Sequence, residues 1–490
     1  MAFKDLREWM ALVESKGELK RIKAEVDWKE EIGAITREVA SRRGTALLFE
    51  NIKDYHDTSC TQLLTGTLGS RGRVRMALGL PDTMRDREII NWLRGRLRTT
   101  IDPVIVNSGP TKENILKGDG IDLYNLPVPF WNPLDGGRYI FTLVCMVTRD
   151  PFTGEHNVGT YRGMIVGKNK VAVFLARSQD WGKHFTAYES LGQEMPVAAV
   201  LGWDPNLFMC SGSSVVGEEY KVCSAIRGEP VPLVKCETSD ILVPASAEIV
   251  IEGKISTDPA TYVMEGPFAE YPGYYAGMPE PRPVVRVECI THRNDPILVG
   301  LVAGATPGRY PSDGFFLKYF WPALMWSGLE DNGIPGITDI TFDGWPEIMK
   351  VRIHKSYRGH AQQLATAIWG SKFANHGGKI LIVVDDDIDI RSREAVDWAL
   401  AYRVNAAMGD IAFFDTLGSP LDPSVPMEDR DIIKYGQSSW RRILIDATIN
   451  WGLEPRPEWG GKRYPPLGTE ITPAMQELIT RRWKEYGLPD

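Results

Sequence analysis

Two changes of pattern, near Asp102 and near Ser312, constrain the fold of this chain more than any other feature. Ahead of the first, apolar spacings switch repeatedly between helix and strand. Residues 4–16 place Leu6, Trp9, Met10 and Val13 on one helical face and stop at Gly17. Glu18–Val26 reads as a strand, Ile32, Ile35 and Val39 mark a helix, and Thr45–Phe49 is a further strand. Helices follow at Arg73–Leu78 and Arg85–Leu97. This alternation predicts an N-terminal α/β domain over residues 1–108.

Beyond Asp102, Pro-rich connections (Leu126-Pro127-Val128-Pro129, Asn132-Pro133) lead into a different regime. Tyr139–Thr148 and Asn157–Val166 read as two strands of a hairpin joined by Asp150-Pro151-Phe152-Thr153-Gly154-Glu155. Further strands at 171–175, 196–201, 231–236, 246–252, 283–290 and 296–302, with a short helix near 183–192, predict an antiparallel sheet or barrel. This central domain is placed at 109–312. After Ser312 helix and strand alternate again. Phe315–Trp326, Ala361–Trp369 and Ser392–Tyr402 read as helices, and Lys379–Val384 as a buried parallel strand ending in Asp385-Asp386-Asp387. That acidic end reads as a capping and turn feature ahead of a metal site. The C-terminal α/β domain is placed at 313–466, its last part from about Ser419 being a Pro-, Asp- and Gly-rich connector. Thr472 as N-cap and Pro473 at the first helical position open a terminal helix within 467–490, expected to pack on a neighbouring subunit.

Composition narrows function by exclusion. A net charge of −8 without a Lys/Arg run argues against a general nucleic-acid binder. No apolar stretch approaches the roughly 20 residues of a membrane helix. The opening MAFKDLREWM is charged where a secretion signal is apolar, so a cytoplasmic location is expected. Cys60, Cys145, Cys210, Cys223, Cys236 and Cys289 show no CxxC spacing and read as reduced core thiols.

Three short stretches carry the candidate chemistry. Met264-Glu265-Gly266-Pro267-Phe268-Ala269-Glu270-Tyr271-Pro272-Gly273-Tyr274-Tyr275 sets two carboxylates five residues apart across a Gly-Pro turn. Gly and Pro restrict the backbone, and apolar neighbours favour a protonated carboxyl beside an ionised one, the arrangement acid–base chemistry needs. The plain alternative is a solvated surface turn. Asn157-Val158-Gly159-Thr160-Tyr161-Arg162 offers a neutral oxygen for a hard cation and a guanidinium for a carboxylate. Strict alternation would put Asn157 and Arg162 on opposite faces, so a shared site requires a bend or bulge there. Gly217-Glu218-Glu219-Tyr220 can supply a charged ligand, and oxygen-only ligation points to magnesium, manganese or calcium.

The order NxGxYR, then a Glu ahead of Ala225-Ile226-Arg227-Gly228-Glu229-Pro230, then EGPFxExxGY, resembles the UbiD family of reversible decarboxylases. The opening DLREWMALVESKGELKRI, the VVDDDIDI strand and Ile445-Asp446-Ala447-Thr448 extend the resemblance over nearly the whole chain. It implies an N-terminal α/β domain, a central flavin-reductase-like split β-barrel and a C-terminal α/β domain with a dimerisation helix. It further implies prenylated FMN, made by a partner flavin prenyltransferase, with manganese and potassium at its phosphate. The substrate would be a small aromatic, heteroaromatic or α,β-unsaturated carboxylic acid, and the assembly a homodimer or homohexamer. Asn157 and Glu219 match the family's metal-binding residues, and Thr160, Tyr161 and Arg162 a segment lining the cofactor. Arg162, Glu265 and Glu270 match its catalytic network, in which the flavin supplies the electron sink, Glu270 donates the proton and Arg162 holds Glu265 ionised.

One position departs from the family pattern. In Ser178-Gln179-Asp180-Trp181-Gly182-Lys183-His184 an Asp stands where the family has a His at the metal or phosphate site. Asp180 can serve as a carboxylate ligand beside Gln179, or His184 can enter from the next helical turn, or the cofactor site is weakened. Asp180 also leaves open a metal-dependent aryl carboxylase acting without the modified flavin. A non-catalytic subunit of a carboxylase complex is a third possibility, opposed by the intact Arg162, Glu265 and Glu270. The acid itself is not legible; Tyr271–Tyr275 and Ala303–Phe316 are candidate pocket segments.

Overall fold

In a computed structural model, residues 3–276, 278–304, 312–342, 346–372, 377–430, 435, 438–468 and 471–488 are described. Part of the candidate pocket segment Ala303–Phe316, residues 305–311, lies outside them. The first helix, Leu6–Ser15, is capped by Asp5, whose side chain accepts from the Glu8 amide, and it buries Leu6, Trp9, Met10 and Val13. It belongs to an α/β layer whose sheet runs Leu19–Ile22, Ala46–Phe49, Gln62–Thr65, Ile297–Val299. The last strand pairs in parallel with Gln62–Thr65, so a segment predicted for the central sheet joins the N-terminal one instead. All three of its residues are buried, and a uniformly apolar strand carries no mark of which sheet it enters.

The central sheet is ordered His156–Gly159, Cys145–Arg149, Met195–Leu201, Ile249–Ile255, Val284–His292, Lys170–Val173, Gly163–Gly167, with Asn114–Lys117 also on Val284–His292. Its first and last strands are consecutive in sequence, separated only by Thr160-Tyr161-Arg162. The sheet therefore curls until its two edges meet at that tripeptide, without hydrogen bonds closing them into a barrel among the described residues. This corrects the single strand predicted over Asn157–Val166. The break follows from close packing at its two glycines. A Cβ on Gly159 would stand 2.3 Å from the Tyr161 hydroxyl, and one on Gly163 2.3 Å from the Phe141 ring. The predicted strand Tyr139–Thr148 shrinks to Cys145–Arg149, with Tyr139 making an isolated bridge to Met164.

Two helices, Pro205–Ser213 and Glu219–Arg227, stand where none was predicted. Eight residues of the first are buried, so no amphipathic period betrays it. Its start was nevertheless signalled by Asp204 as N-cap and Pro205 at the first helical position.

The C-terminal sheet runs Ile337–Thr341, Ile348–Ile353, Ile380–Asp385, Ser438–Ala447, Ile411–Gly418. Ile380–Asp385 has a parallel neighbour on each side, as its continuous apolar run predicts. The connector predicted from Ser419 is corrected, because Ser438–Ala447 inside it is an interior strand. Its two arginines hid it. Arg441 faces out, while Arg442 points inward and donates to the Gly377 and Leu417 carbonyls, each at 2.6 Å. The terminal helix Pro473–Arg482 is capped by Thr472 and buries none of its residues. No helix is long and apolar enough to cross a membrane among the described residues.

Candidate active site

The tripeptide that separates the two sheet edges opens into a cavity of about 1030 Å³, lined from all three regions by residues including Gly69, Thr160, Arg162, Glu270, Trp321 and Lys372. Arg162 is its electrostatic centre. Its Nε and Nη2 donate to the two oxygens of Glu265 at 3.0 and 2.9 Å, and Nη1 donates to Glu270. The bidentate, planar fit to Glu265 is geometry a lysine does not reproduce. Phe174 lies under the guanidinium at 4.6 Å and Phe268 at 5.3 Å, screening it from water. Burial alone would lower the Arg162 pKa, but the Glu270 and Glu265 carboxylates outweigh it and hold the side chain charged.

The two acids differ in access. The Glu265 side chain is 1% exposed and does not line the cavity, whereas Glu270 is 14% exposed and does. A short strand, Val263–Glu265, ends at the first, and Phe268–Ala269 leads into the second, so the Gly266-Pro267 turn separates their positions. Tyr139, fully buried, donates to Glu265 Oε1 at 2.7 Å. Burial and the adjacent carboxylate push its own pKa up, so it remains a donor. Asp135 accepts from the Ala269 amide at 3.0 Å and from the Asn132 amide at 3.0 Å, anchoring the chain just before Glu270. Both residues were missed by sequence reasoning, since each meets its partner across more than a hundred positions.

The other predicted residues gather at the opposite side of the Arg162 tripeptide. Thr160 Oγ1 lies 3.0 Å from Ser211 Oγ, and the Tyr161 ring stacks on Trp181 with centroids 4.0 Å apart. Trp181 Nε1 donates to Gln179 Oε1 at 3.2 Å. Asn157 is buried, and its amide donates to Thr148 Oγ1 at 3.4 Å, an oxygen that also meets His184 Nδ1 at 2.9 Å. Burial keeps the His184 pKa below its ordinary value. Glu219 turns inward, accepting from the Val158 amide at 2.9 Å, and burial pushes its pKa up to about 7. Glu218 turns to Lys221 instead, at 2.9 Å. Asp180 stands at the cavity edge in the first turn of helix Asp180–Ser190, largely exposed and 2.7 Å from Lys183. Thus Asn157, Thr160, Tyr161, Arg162, Gln179, Asp180, Glu219 and Glu270 share one cavity, with Glu265 directly behind it.

The comparisons with known proteins agree along the whole chain. Family models match in three segments. These are the 3-octaprenyl-4-hydroxybenzoate carboxy-lyase N-terminal domain at residues 10–93, its Rift-related domain at 104–306 and its C-terminal domain at 322–447. Among solved structures, the closed form of Sedimentibacter hydroxybenzoicus vanillic acid decarboxylase superposes with a TM-score of 0.87 at 27% identity, covering 100% of both chains. The UbiD-class enzyme HmfF from Pelotomaculum thermopropionicum, in complex with FMN, gives 0.79 at 29% identity over 98% of this chain and 100% of that one. An evolved dimeric form of HmfF in complex with prFMN gives 0.78 at 27% identity, covering 98% of this chain and 100% of that one. With all three of its domains matched in order, the chain belongs to the UbiD family and is a carboxy-lyase.

Proposed function

We propose that this enzyme reversibly decarboxylates an aromatic, heteroaromatic or α,β-unsaturated carboxylic acid with the help of prenylated FMN. The observation that carries the reading is one guanidinium shared between a sealed carboxylate and a carboxylate that faces the cavity. Loss of CO2 from an sp2 carbon leaves charge that no side chain can delocalise, and the bound flavin supplies the electron sink. Arg162 attracts the substrate carboxylate into the cavity. Glu265, held by Arg162 and Tyr139, keeps the guanidinium oriented while Nη1 exchanges Glu270 for substrate. Glu270, released from its cation in a site walled by Phe174 and Phe268, takes up a proton from water and delivers it to the carbon that loses CO2. Run in reverse, the same residue removes a proton from the arene.

Asn157 and Glu219 would hold the cation that accompanies the flavin phosphate. The donor chemistry fits. Glu219 is a buried carboxylate with no cationic side chain hydrogen-bonded to it among the described residues, and its neighbour Asn157 adds a neutral oxygen. Both are hard ligands suited to manganese, with potassium as a second charge-balancing ion. Asp180, at the cavity edge, would add a further carboxylate oxygen on leaving Lys183. Thr160, Tyr161 and Gln179 would line the flavin. We read the curled central sheet as the split β-barrel that carries the cofactor. The solvent-exposed helix Pro473–Arg482 is read as the contact of a homodimer or homohexamer.

The test is a panel of carboxylic acids assayed for CO2 release with protein co-expressed with a flavin prenyltransferase. A flavin-like visible spectrum with acid-dependent CO2 release supports the reading. Metal-dependent CO2 exchange on a phenolic or phosphorylated arene, without bound flavin, contradicts it.

A further inference from the structure

Glu270 is followed by a tyrosine whose hydroxyl leaves the central region altogether. Tyr271 donates to Glu347 Oε1 at 2.5 Å, 76 residues further along the chain. Glu347 is fixed in the C-terminal sheet. Its carbonyl accepts from the Ile380 amide at 2.8 Å, and strand Ile348–Ile353 begins at the next residue. On the other side, Glu270 lies in a tight turn. Its amide donates to the Tyr274 carbonyl at 3.0 Å, and its carbonyl accepts from the Gly273 amide at 2.8 Å. Gly304 presses on the same carbonyl so closely that a Cβ there would come within 2.7 Å. The turn is thus a small hydrogen-bonded unit that the Tyr271 hydroxyl ties to a different sheet, at Glu347. Burial raises the Glu347 pKa and outweighs the Tyr271 hydrogen bond, which favours the anion. Burial and the Glu347 charge push Tyr271 up as well, so the phenol stays a donor at neutral pH.

We propose that Tyr271 is a positioning residue: its hydrogen bond to Glu347 ties the Glu270 turn to the C-terminal sheet and sets the Glu270 carboxylate against Arg162 and the substrate. The proposal rests on the decarboxylase reading for its kinetic consequence, while the tie itself is a matter of structure. Both Tyr271 and Pro346, the neighbour of Glu347, line the cavity, so the contact spans its wall and fixes the distance between the acid and the opposite side. Removing the hydroxyl deletes no hydrogen bond within the turn, but an untied turn opens more often at its Glu270 and Gly273 amides and shifts relative to the Arg162 guanidinium. A displacement of this kind acts on the proton-transfer step rather than on substrate capture, which belongs to Arg162.

The test combines Tyr271→Phe, Glu347→Ala, their double variant and Glu347→Gln in the full-length chain. Two readouts are taken: amide hydrogen exchange over residues 266–276, and kcat and KM on the acid found by the panel. Tyr271→Phe and Glu347→Ala are each expected to speed exchange at the Glu270 and Gly273 amides. Each should also lower kcat about tenfold, the size of one hydrogen bond to a charged group, with KM little changed. The double variant should be no slower than either single variant. Glu347→Gln keeps a carbonyl oxygen for the Tyr271 donor and should restore most of kcat. Unchanged exchange in both single variants overturns the proposal, and so do kcat losses that multiply in the double variant. If the wild-type protein releases CO2 from no acid, the decarboxylase reading falls, and the exchange measurement alone still decides the tie.

Discussion

Glu265 gives both of its carboxylate oxygens to Arg162, at 3.0 and 2.9 Å, while remaining sealed from the cavity that Arg162 faces. An anion that substrate cannot reach is a fixed electrostatic support. It keeps the guanidinium charged and aimed, and under the proposed function the more exposed Glu270 exchanges partners and protons. The two acids of one loop are therefore unequal by burial, and the predictions below test that inequality.

Arg162→Ala strands a buried Glu265 with only Tyr139 as a donor among the described residues. Breaking a buried pair in this way costs about 3–5 kcal/mol. Chemical denaturation should show a loss in that range, together with loss of turnover. Arg162→Ala with wild-type stability would contradict the sealed-pair account.

Tyr139→Phe removes the second donor on Glu265, at 2.7 Å, together with a longer contact of the same hydroxyl to the Pro267 carbonyl at 3.3 Å. A hydrogen bond to a charged group contributes roughly 1.5–3 kcal/mol, so thermal unfolding should shift down measurably. Turnover should fall with KM little altered, because Tyr139 touches the support rather than the substrate. An unchanged midpoint and unchanged kcat would remove Tyr139 from the network.

Asp135 makes a pH prediction with a definite sign. Burial pushes its carboxyl up to about 6 from an ordinary 3.8, outweighing the amides of Ala269 and Asn132 that favour the anion. Between those two values the folded chain holds a proton that the unfolded chain has released. Asp135 therefore makes stability fall as pH rises through that window. Comparing wild type with Asp135→Asn by denaturation at several pH values isolates this contribution. A wild-type advantage that grows with pH across the window would mean that the hydrogen bonds win over desolvation.

Glu219→Gln keeps size and polarity but removes the buried charge proposed to hold the cation. Protein purified after co-expression with the prenyltransferase should retain much less flavin, read from its visible spectrum, and respond less to added manganese. Asp180→Asn, at an exposed position paired with Lys183, should have a smaller effect. Equal losses in the two variants would place Asp180 among the principal ligands.

How much of this was legible in the sequence varies with the range of the interaction. The Glu265–Glu270 spacing, the NxGxYR run and Glu219 were readable because local turns fix their geometry, and the resemblance supplied their order. Asn157 and Arg162 share a cavity because the strand is interrupted at Thr160-Tyr161-Arg162, the kind of bend that alternation requires of a shared site. Alternation does not say that the two halves become opposite edges of one sheet. Tyr139 and Asp135 were invisible, because they support the Glu265–Glu270 loop from more than a hundred residues away and carry no local signature. Strand Ser438–Ala447 was lost because Arg442, an apparent surface cation, satisfies its guanidinium on buried carbonyls. Ile297–Val299 was found as a strand but given to the wrong sheet, since alternation does not encode partners.

The central claim is that Glu270 carries the proton and Glu265 does not. The measurement is the rate of CO2 release from the preferred acid by wild type, Glu270→Gln and Glu265→Gln, each loaded with flavin to the same absorbance. Loss of a positioned acid–base group predicts a fall of about 10²–10⁴-fold in kcat for Glu270→Gln with KM preserved. Glu265→Gln is predicted to lose stability as well as rate. Near wild-type CO2 release by flavin-loaded Glu270→Gln would contradict the account.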